Sequence, residues 1–167
     1  IYLIPGMWGA QLKLISGFPP PLSYSEAPQG FGNSQNSTDH SANKDMHLGP
    51  QNIMVFHDLE KAEAYAKEVK KPLFVDFTGH ACVNCRKMEE KVWGEPGILE
   101  ILRDKMVIVS LYVDEKTALP VSEHKELEYA PGKKMKITQI GHKWSYLQTT
   151  RYKSNTQPYY RLLGPQN

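Results

Sequence analysis

The sequence predicts an α/β layered fold, and three observations carry that prediction. Leu73-Phe74-Val75-Asp76-Phe77 and Met106 to Val113 are nearly unbroken apolar runs, rich in β-branched and aromatic residues, the pattern of strands buried on both faces. A helical periodicity precedes the first run and a second helical stretch separates the two. The order strand, helix, strand, helix, strand calls for parallel interior strands with helices on both sides.

Each element has its own warrant. Ile53, Val55 and Phe56 read as a short opening strand, and Asp58 is placed to cap the helix that follows. From Leu59 to Lys70, the residues Leu59, Ala62, Ala66 and Val69 recur at spacings of three and four, a narrow apolar stripe on a charged helix that Lys71-Pro72 ends. After the Leu73–Phe77 strand and Thr78-Gly79-His80-Ala81, the chain from Cys82 to about Val92 favours helix until Gly94, Pro96 and Gly97 interrupt it. Ile98, Ile101 and Leu102 define a second helical piece, and Met106–Val113 returns to strand. Residues 114–143 carry charges, Pro120, Pro131 and Gly132, and read as a less regular insertion. A helix is expected over Trp144–Tyr152 and a further strand over Tyr159–Leu163.

The 167 residues suit one globular domain with an appendage. With 20 Lys+Arg against 18 Asp+Glu the net charge is +2, so the electrostatic footprint of a dedicated nucleic-acid binder is missing. A mean hydropathy of −0.51 and the lack of an uncharged apolar run of spanning length exclude a polytopic membrane protein. Half of the 12 glycines and 12 prolines fall in residues 1–50, so the folded body is expected after Pro50. Residues 1–22, with Pro5, Trp8 and Lys13 among Leu and Ile, suit the end of a transmembrane or membrane-interface segment; the competing reading is a disordered end. Residues 23–51 are too polar to offset the entropy of ordering them and read as a flexible linker, with His40 and His47 solvated. The domain proper is assigned to 52–167.

The two cysteines stand together in Cys82-Val83-Asn84-Cys85. A thiol attacks a disulfide as thiolate, so a redox cysteine belongs where negative charge is stabilised and a partner can reach it. The start of a helix after an interior strand meets both needs, because unpaired N–H groups point at the first sulfur. Cys82 is therefore the expected attacking sulfur. Cys85, one turn deeper, can close a short disulfide and resolve the mixed one. Two other readings compete: a zinc site, which would need more ligands than the nearby His80 supplies, and a pair of inert core thiols.

The segment Lys71-Pro72-Leu73-Phe74-Val75-Asp76-Phe77-Thr78-Gly79-His80-Ala81-Cys82-Val83-Asn84-Cys85-Arg86-Lys87-Met88-Glu89 resembles the C-terminal thioredoxin-like domain of the DsbD family of thiol:disulfide interchange proteins. Val83 follows the first cysteine, a basic residue follows the second, and Asp76 and Glu89 lie at the family's acidic positions. Tyr2 to Pro21 looks like the end of the last transmembrane helix, which in that family precedes the soluble domain. The resemblance covers most of residues 1–22 and 52–113 and is loose beyond.

What it implies is specific. The fold would be a thioredoxin-like three-layer α/β/α sandwich. Its function would be dithiol reduction, passing electrons from a membrane-embedded domain of the same or a longer chain to oxidised thiol proteins of the periplasm. The chain would be tethered at the bacterial inner membrane, with no cofactor beyond the Cys82–Cys85 disulfide and no bound metal or nucleic acid. Asp76 and Glu89 would be carboxylates that raise the Cys82 pKa until a partner docks; the bland readings are an edge-strand residue facing water for Asp76 and a solvated helix position for Glu89. Pro158, after Thr156-Gln157, resembles the cis-proline of the loop facing the dithiol, which would let Gln157 pair with an extended substrate strand. Three departures stand out. Ala81 replaces the usual Trp, the insertion at about 114–143 is long, and only nine residues follow Pro158 where the fold calls for a closing strand and last helix. A fragment with an open sheet edge is the expectation. Alternatives in function are a thiol oxidase or isomerase, and a soft-metal-binding or adaptor module using Cys82, Cys85 and His80.

Overall fold

The computed structural model describes residues 45–164. The expected membrane segment at 1–22 and residues 23–44 of the expected linker lie outside the described residues. Met46–Leu48 (β1) and Met54–Phe56 (β2) lead into the helix Leu59–Glu68 (α1) and the strand Leu73–Thr78 (β3). Helix Val83–Met88 (α2) widens into a π-helical turn, Glu89–Trp93, and Ile98–Glu100 (α3) widens likewise over Ile101–Lys105. There follow Val107–Tyr112 (β4), the hairpin of Lys125–Ala130 (β5) and Lys133–Ile137 (β6), helix Ile140–Tyr152 (α4) and strand Tyr159–Leu163 (β7).

Five strands form one sheet in the order β1-β2-β4-β3-β7, with β5 and β6 paired separately. β2, β4 and β3 run parallel, and β1 and β7 add antiparallel at the two edges. The apolar runs explain the centre: every residue of β4 is buried, as are five of the six in β3. Side chains alternate between faces along a strand. On one face Phe56, Leu73, Val75, Phe77, Val107, Val109 and Leu111 pack with Leu59, Ala62 and Ala66 of α1 and Trp144 of α4. On the other, Val55, Ile108 and Phe74 meet Trp93 of the π turn and Leu102 beside α3. Helices therefore cover both sides, the expected α/β/α arrangement. Asp58 caps α1 as expected, its carboxylate accepting from the Lys61 amide at 3.1 Å.

Where sequence and structure differ, the cause is local. The linker was expected to run through residue 51, but β1 pairs Met46, His47 and Leu48 with Phe56, Val55 and Met54. An edge strand held by backbone bonds needs little apolar side chain, so its composition does not announce it. Within the stretch expected to be irregular, β5 and β6 form a hairpin in which Glu126 faces Lys136, Glu128 faces Lys134 and Leu127 faces Met135. Cross-strand charge pairs and a turn through Gly132, at φ 72°, hold it. α4 begins at Ile140 rather than Trp144. A glycine in its first turn masks the start, yet Gly141 is required there: a Cβ would lie 2.6 Å from the Val113 carbonyl oxygen and 2.7 Å from backbone atoms of Glu115. β7 pairs with β3 alone, and no strand flanks its other edge among the described residues.

Candidate functional site

The site forms where β3 gives way to α2. Gly79 leaves room for the Asp114 carboxylate, which a Cβ there would approach to 3.0 Å. Asp114 accepts from the His80 amide at 2.8 Å and the Ala81 amide at 3.0 Å, fixing the two residues before the dithiol. Cys82 is then the N-cap of α2: its extended backbone turns the chain, its carbonyl accepts from the Arg86 amide at 3.2 Å, and its Sγ accepts from the Cys85 amide at 3.2 Å. That N–H, with the helix dipole behind it, favours negative charge on Sγ once the sulfur is reduced.

Cys82 and Cys85 are joined in a disulfide, with their Cα atoms 5.3 Å apart. Cys82 is partly exposed, and Cys85 is buried at 1%. This asymmetry decides the roles available to the two sulfurs. Only Cys82 can be approached by a protein disulfide, and Cys85 can act only on a bond already made at Cys82. Ala81 beside them is exposed, so no bulky side chain shields the sulfur from that side.

Beneath α2 the sheet face carries a polar stripe. Asp76 of β3 lies opposite Ser110 of β4 and Tyr160 of β7, and Thr78 lies opposite Tyr112. Asp76 is 1% exposed; its Oδ2 accepts from the Ser110 hydroxyl at 3.2 Å, and its Oδ1 has no partner among the described residues. Burial first, and then the charge of Glu89, push the Asp76 carboxyl up to about 8, against the Ser110 hydrogen bond and Arg86. Glu89 is also buried, at 6%, where burial pushes it to about 7 and the neighbouring Arg86 pulls the other way. The water-facing alternatives for both acids are thus overturned. Gln51 donates to the Glu89 carbonyl at 3.1 Å, satisfying an oxygen at the start of the π turn. Tyr112 is raised to about 12, and Tyr160 is raised as well, both chiefly by burial.

Arg86 ties these parts together and was not singled out from the sequence, which reads it as the basic residue after a cysteine. It is 6% exposed, and its Nη2 donates to Thr78 Oγ1 at 2.9 Å and to Glu89 Oε1 at 2.6 Å. The signal that finds it is positional: Arg86 and Glu89 lie three apart, on the helix face that also carries buried Cys85. Strand alternation likewise puts Asp76 and Ser110 on one face.

Gln157-Pro158 is a cis peptide bond, and the β3–β7 register that pairs Phe77 with Tyr159 carries Pro158 level with Thr78, at the sheet end from which the chain runs to Cys82. Gln157 is held by its amide, which donates to Gln148 Oε1 at 3.0 Å. His80 is occupied elsewhere than at the sulfurs: its Nε2 meets Glu115 Oε2 at 2.8 Å and its ring stacks on Tyr112 at 4.1 Å. Among the described residues no three His, Cys, Asp or Glu side chains converge as a metal cluster, and no helix is long and apolar enough to cross a membrane.

A family model described as thioredoxin-like matches residues 53–131, a span from the residue before β2 through the dithiol, α2, α3 and β4 into the β5–β6 hairpin. No curated protein matches the chain. The fold is α/β and consistent with the thioredoxin-like class. A Cys-x-x-Cys pair in disulfide form at this position in such a fold supports a thiol–disulfide oxidoreductase in general.

Proposed function

We propose that this chain is a protein-disulfide reductase of the DsbD type, a periplasm-facing domain tethered at a bacterial inner membrane. The observation that carries the reading is the asymmetric disulfide, a partly exposed Cys82 capping α2 and a buried Cys85 above two buried carboxylates. In the cycle, the Cys82 thiolate attacks one sulfur of a partner's disulfide and expels the other as a thiolate. Cys85 then loses its proton and attacks Cys82 Sγ in the mixed disulfide, expelling the partner's second thiolate. Two electrons have passed to the partner, and the Cys82–Cys85 disulfide remains. A dithiol of a membrane-embedded domain, in the same or a longer chain, reduces it again by the same exchange. The chemistry draws on no organic cofactor.

Support for the reducing direction comes from the resemblance of Lys71–Glu89 to the DsbD family and from the buried acids. Asp76, pushed up to about 8, is largely protonated at neutral pH, and Glu89, at about 7, is the acid that contributes negative charge beneath the dithiol. That charge, and that of Asp76 as pH rises, disfavours a thiolate and holds the dithiol back from the very low thiolate pKa of a strong oxidant. The test is equilibration of the purified domain against a glutathione or dithiothreitol buffer. A reductase poises near the thioredoxin value of about −270 mV, whereas a value near the −120 mV of a strong oxidase, on the order of 150 mV higher, would transfer the protein to the oxidase class.

A further inference from the structure

Gln148 of α4 is a polar residue that the fold buries, at 1% exposure. An amide in such a place costs free energy unless its donors and its acceptor are used. Both ends of this one are spent on the loop that follows α4. Its Nε2 donates to the Thr156 carbonyl at 2.8 Å, and its Oε1 accepts from the Gln157 side chain at 3.0 Å. Its backbone carbonyl accepts from the amide of Lys153, where the chain leaves the helix at a φ of 54°. One buried residue thus holds the exit turn and the two residues before Pro158.

The Gln157 side chain is drawn back toward α4 and also donates to the Asn155 carbonyl at 3.3 Å, so it is spent within the loop. Its main chain is not. Among the described residues neither its N–H nor its C=O has a hydrogen-bond partner, because the pairing of β7 with β3 starts only at Tyr159. These two groups lie at the sheet end where Cys82 caps α2, one residue before Pro158, which is level with Thr78. Asn155 and Thr156 are exposed and belong to no helix or strand, so without a brace the loop would keep the freedom that an ordered chain gives up.

We propose that Gln148 is a positioning residue for polypeptide substrates: it fixes loop 155–158 so that the Gln157 N–H and C=O meet the extended backbone flanking a partner's disulfide as that disulfide reaches Cys82. The proposal rests on the reductase reading above and names the substrate class, disulfides carried in an extended stretch of protein chain. Pairing through main-chain groups recognises backbone, and a disulfide without flanking peptide gains nothing from it. Buried itself, Gln148 acts through Thr156 and Gln157. It removes in advance the loop freedom that would otherwise be lost on binding.

The test compares two substrates of the reduced chain: insulin, whose disulfides lie in polypeptide, and cystamine, which has no peptide. Gln148→Met keeps the side-chain length and abolishes both side-chain hydrogen bonds. Its second-order rate constant with insulin is expected to fall about tenfold, the order of one to two net hydrogen bonds, while that with cystamine falls by less than about twofold. An unchanged insulin rate overturns the proposal. So does an equal fall on both substrates, which marks damage to the dithiol itself. Should Gln148→Met fail to fold, Gln157→Ala, which leaves the buried amide in place, decides by the ratio of insulin to cystamine rates. That ratio is expected to drop about threefold or more, and an unchanged ratio overturns the proposal. A wild-type chain inert toward both disulfides removes the reductase reading, and the role toward substrates with it. The brace is then decided without turnover, by NMR of side-chain amide hydrogen exchange in the oxidised chain. Exchange at the Gln157 side chain is expected to be slow in the wild type and fast in Gln148→Met, and equal rates overturn the brace.

Discussion

Asp76 gives the sharpest quantitative prediction, because it links a buried group to stability over an accessible pH range. Its folded-state value is about 8 against a reference of 3.8. In this window the folded protein binds a proton that the unfolded chain has lost, so the unfolded state is favoured progressively as pH rises. Stability contributed by protonated Asp76 is intact below about 4 and declines up to about 8, the reverse of a salt-bridged aspartate. Each unit within the window costs about 1.4 kcal/mol, an upper limit of about 6 kcal/mol over its full width. That is comparable with the whole stability of an ordinary domain. Asp76→Asn keeps the shape and removes the titration. Its amide leaves a buried donor short of a partner, a cost of about 1–3 kcal/mol that does not vary with pH. Guanidinium denaturation of the oxidised wild-type and Asp76→Asn proteins from pH 4 to pH 8 is the assay, because the disulfide removes thiol titration from the comparison. Relative to the variant, the wild type is expected to lose several kcal/mol across the series. Glu89, pushed to about 7, adds a smaller slope of the same sign to both proteins. A difference between the two that stays constant within about 0.5 kcal/mol, or that grows in favour of the wild type as pH rises, would refute the reasoning.

Three further outcomes follow from the geometry. Gly141→Ala forces a Cβ against backbone atoms of Val113 and Glu115 at 2.6–2.7 Å, so a thermal melt should show destabilisation of about 1–3 kcal/mol, and none would mean α4 can shift freely. Asp114→Ala strips the acceptor from the His80 and Ala81 amides; it should cost about 1–2 kcal/mol and slow disulfide exchange, with Asp114→Asn in between, since the loop that presents Cys82 loses both its anchors. In the reduced protein, iodoacetamide should label Cys82 well before Cys85, as read by peptide mass mapping, and equal rates would contradict the burial difference between them.

What could be read in the sequence follows from which interactions leave a mark on composition. β3 and β4 are legible because burial on both faces demands continuous apolar residues, and α1 because one covered face demands a period of three to four. The start of α1 is legible through Asp58, whose side chain has a single local task. β1 leaves no mark, since its partner is backbone and its residues are largely exposed. The β5–β6 hairpin does leave one, alternating charges around Pro131-Gly132, which is overlooked when the charges are taken as a sign of irregularity. At the site, the spacing of Cys82 and Cys85 and the oddity of an aspartate inside an apolar strand are local features and therefore visible. The Arg86 contact with Thr78 joins residues on two elements, and only the packing of α2 on the sheet reveals it. Ser110 and Tyr160 belong with Asp76 through strand register alone, which no single stretch of sequence contains.

The central claim is that Cys82 makes the first bond to a partner and Cys85 breaks it. Reduced Cys85→Ala and Cys82→Ala proteins, each mixed with an oxidised disulfide protein and quenched with acid, separate the two steps on a non-reducing gel or by intact mass. The account predicts that Cys85→Ala accumulates a mixed disulfide through Cys82 that persists for lack of a resolving thiol, while Cys82→Ala forms little or none. An adduct on Cys85 in preference to Cys82, or no adduct with either variant, would contradict it.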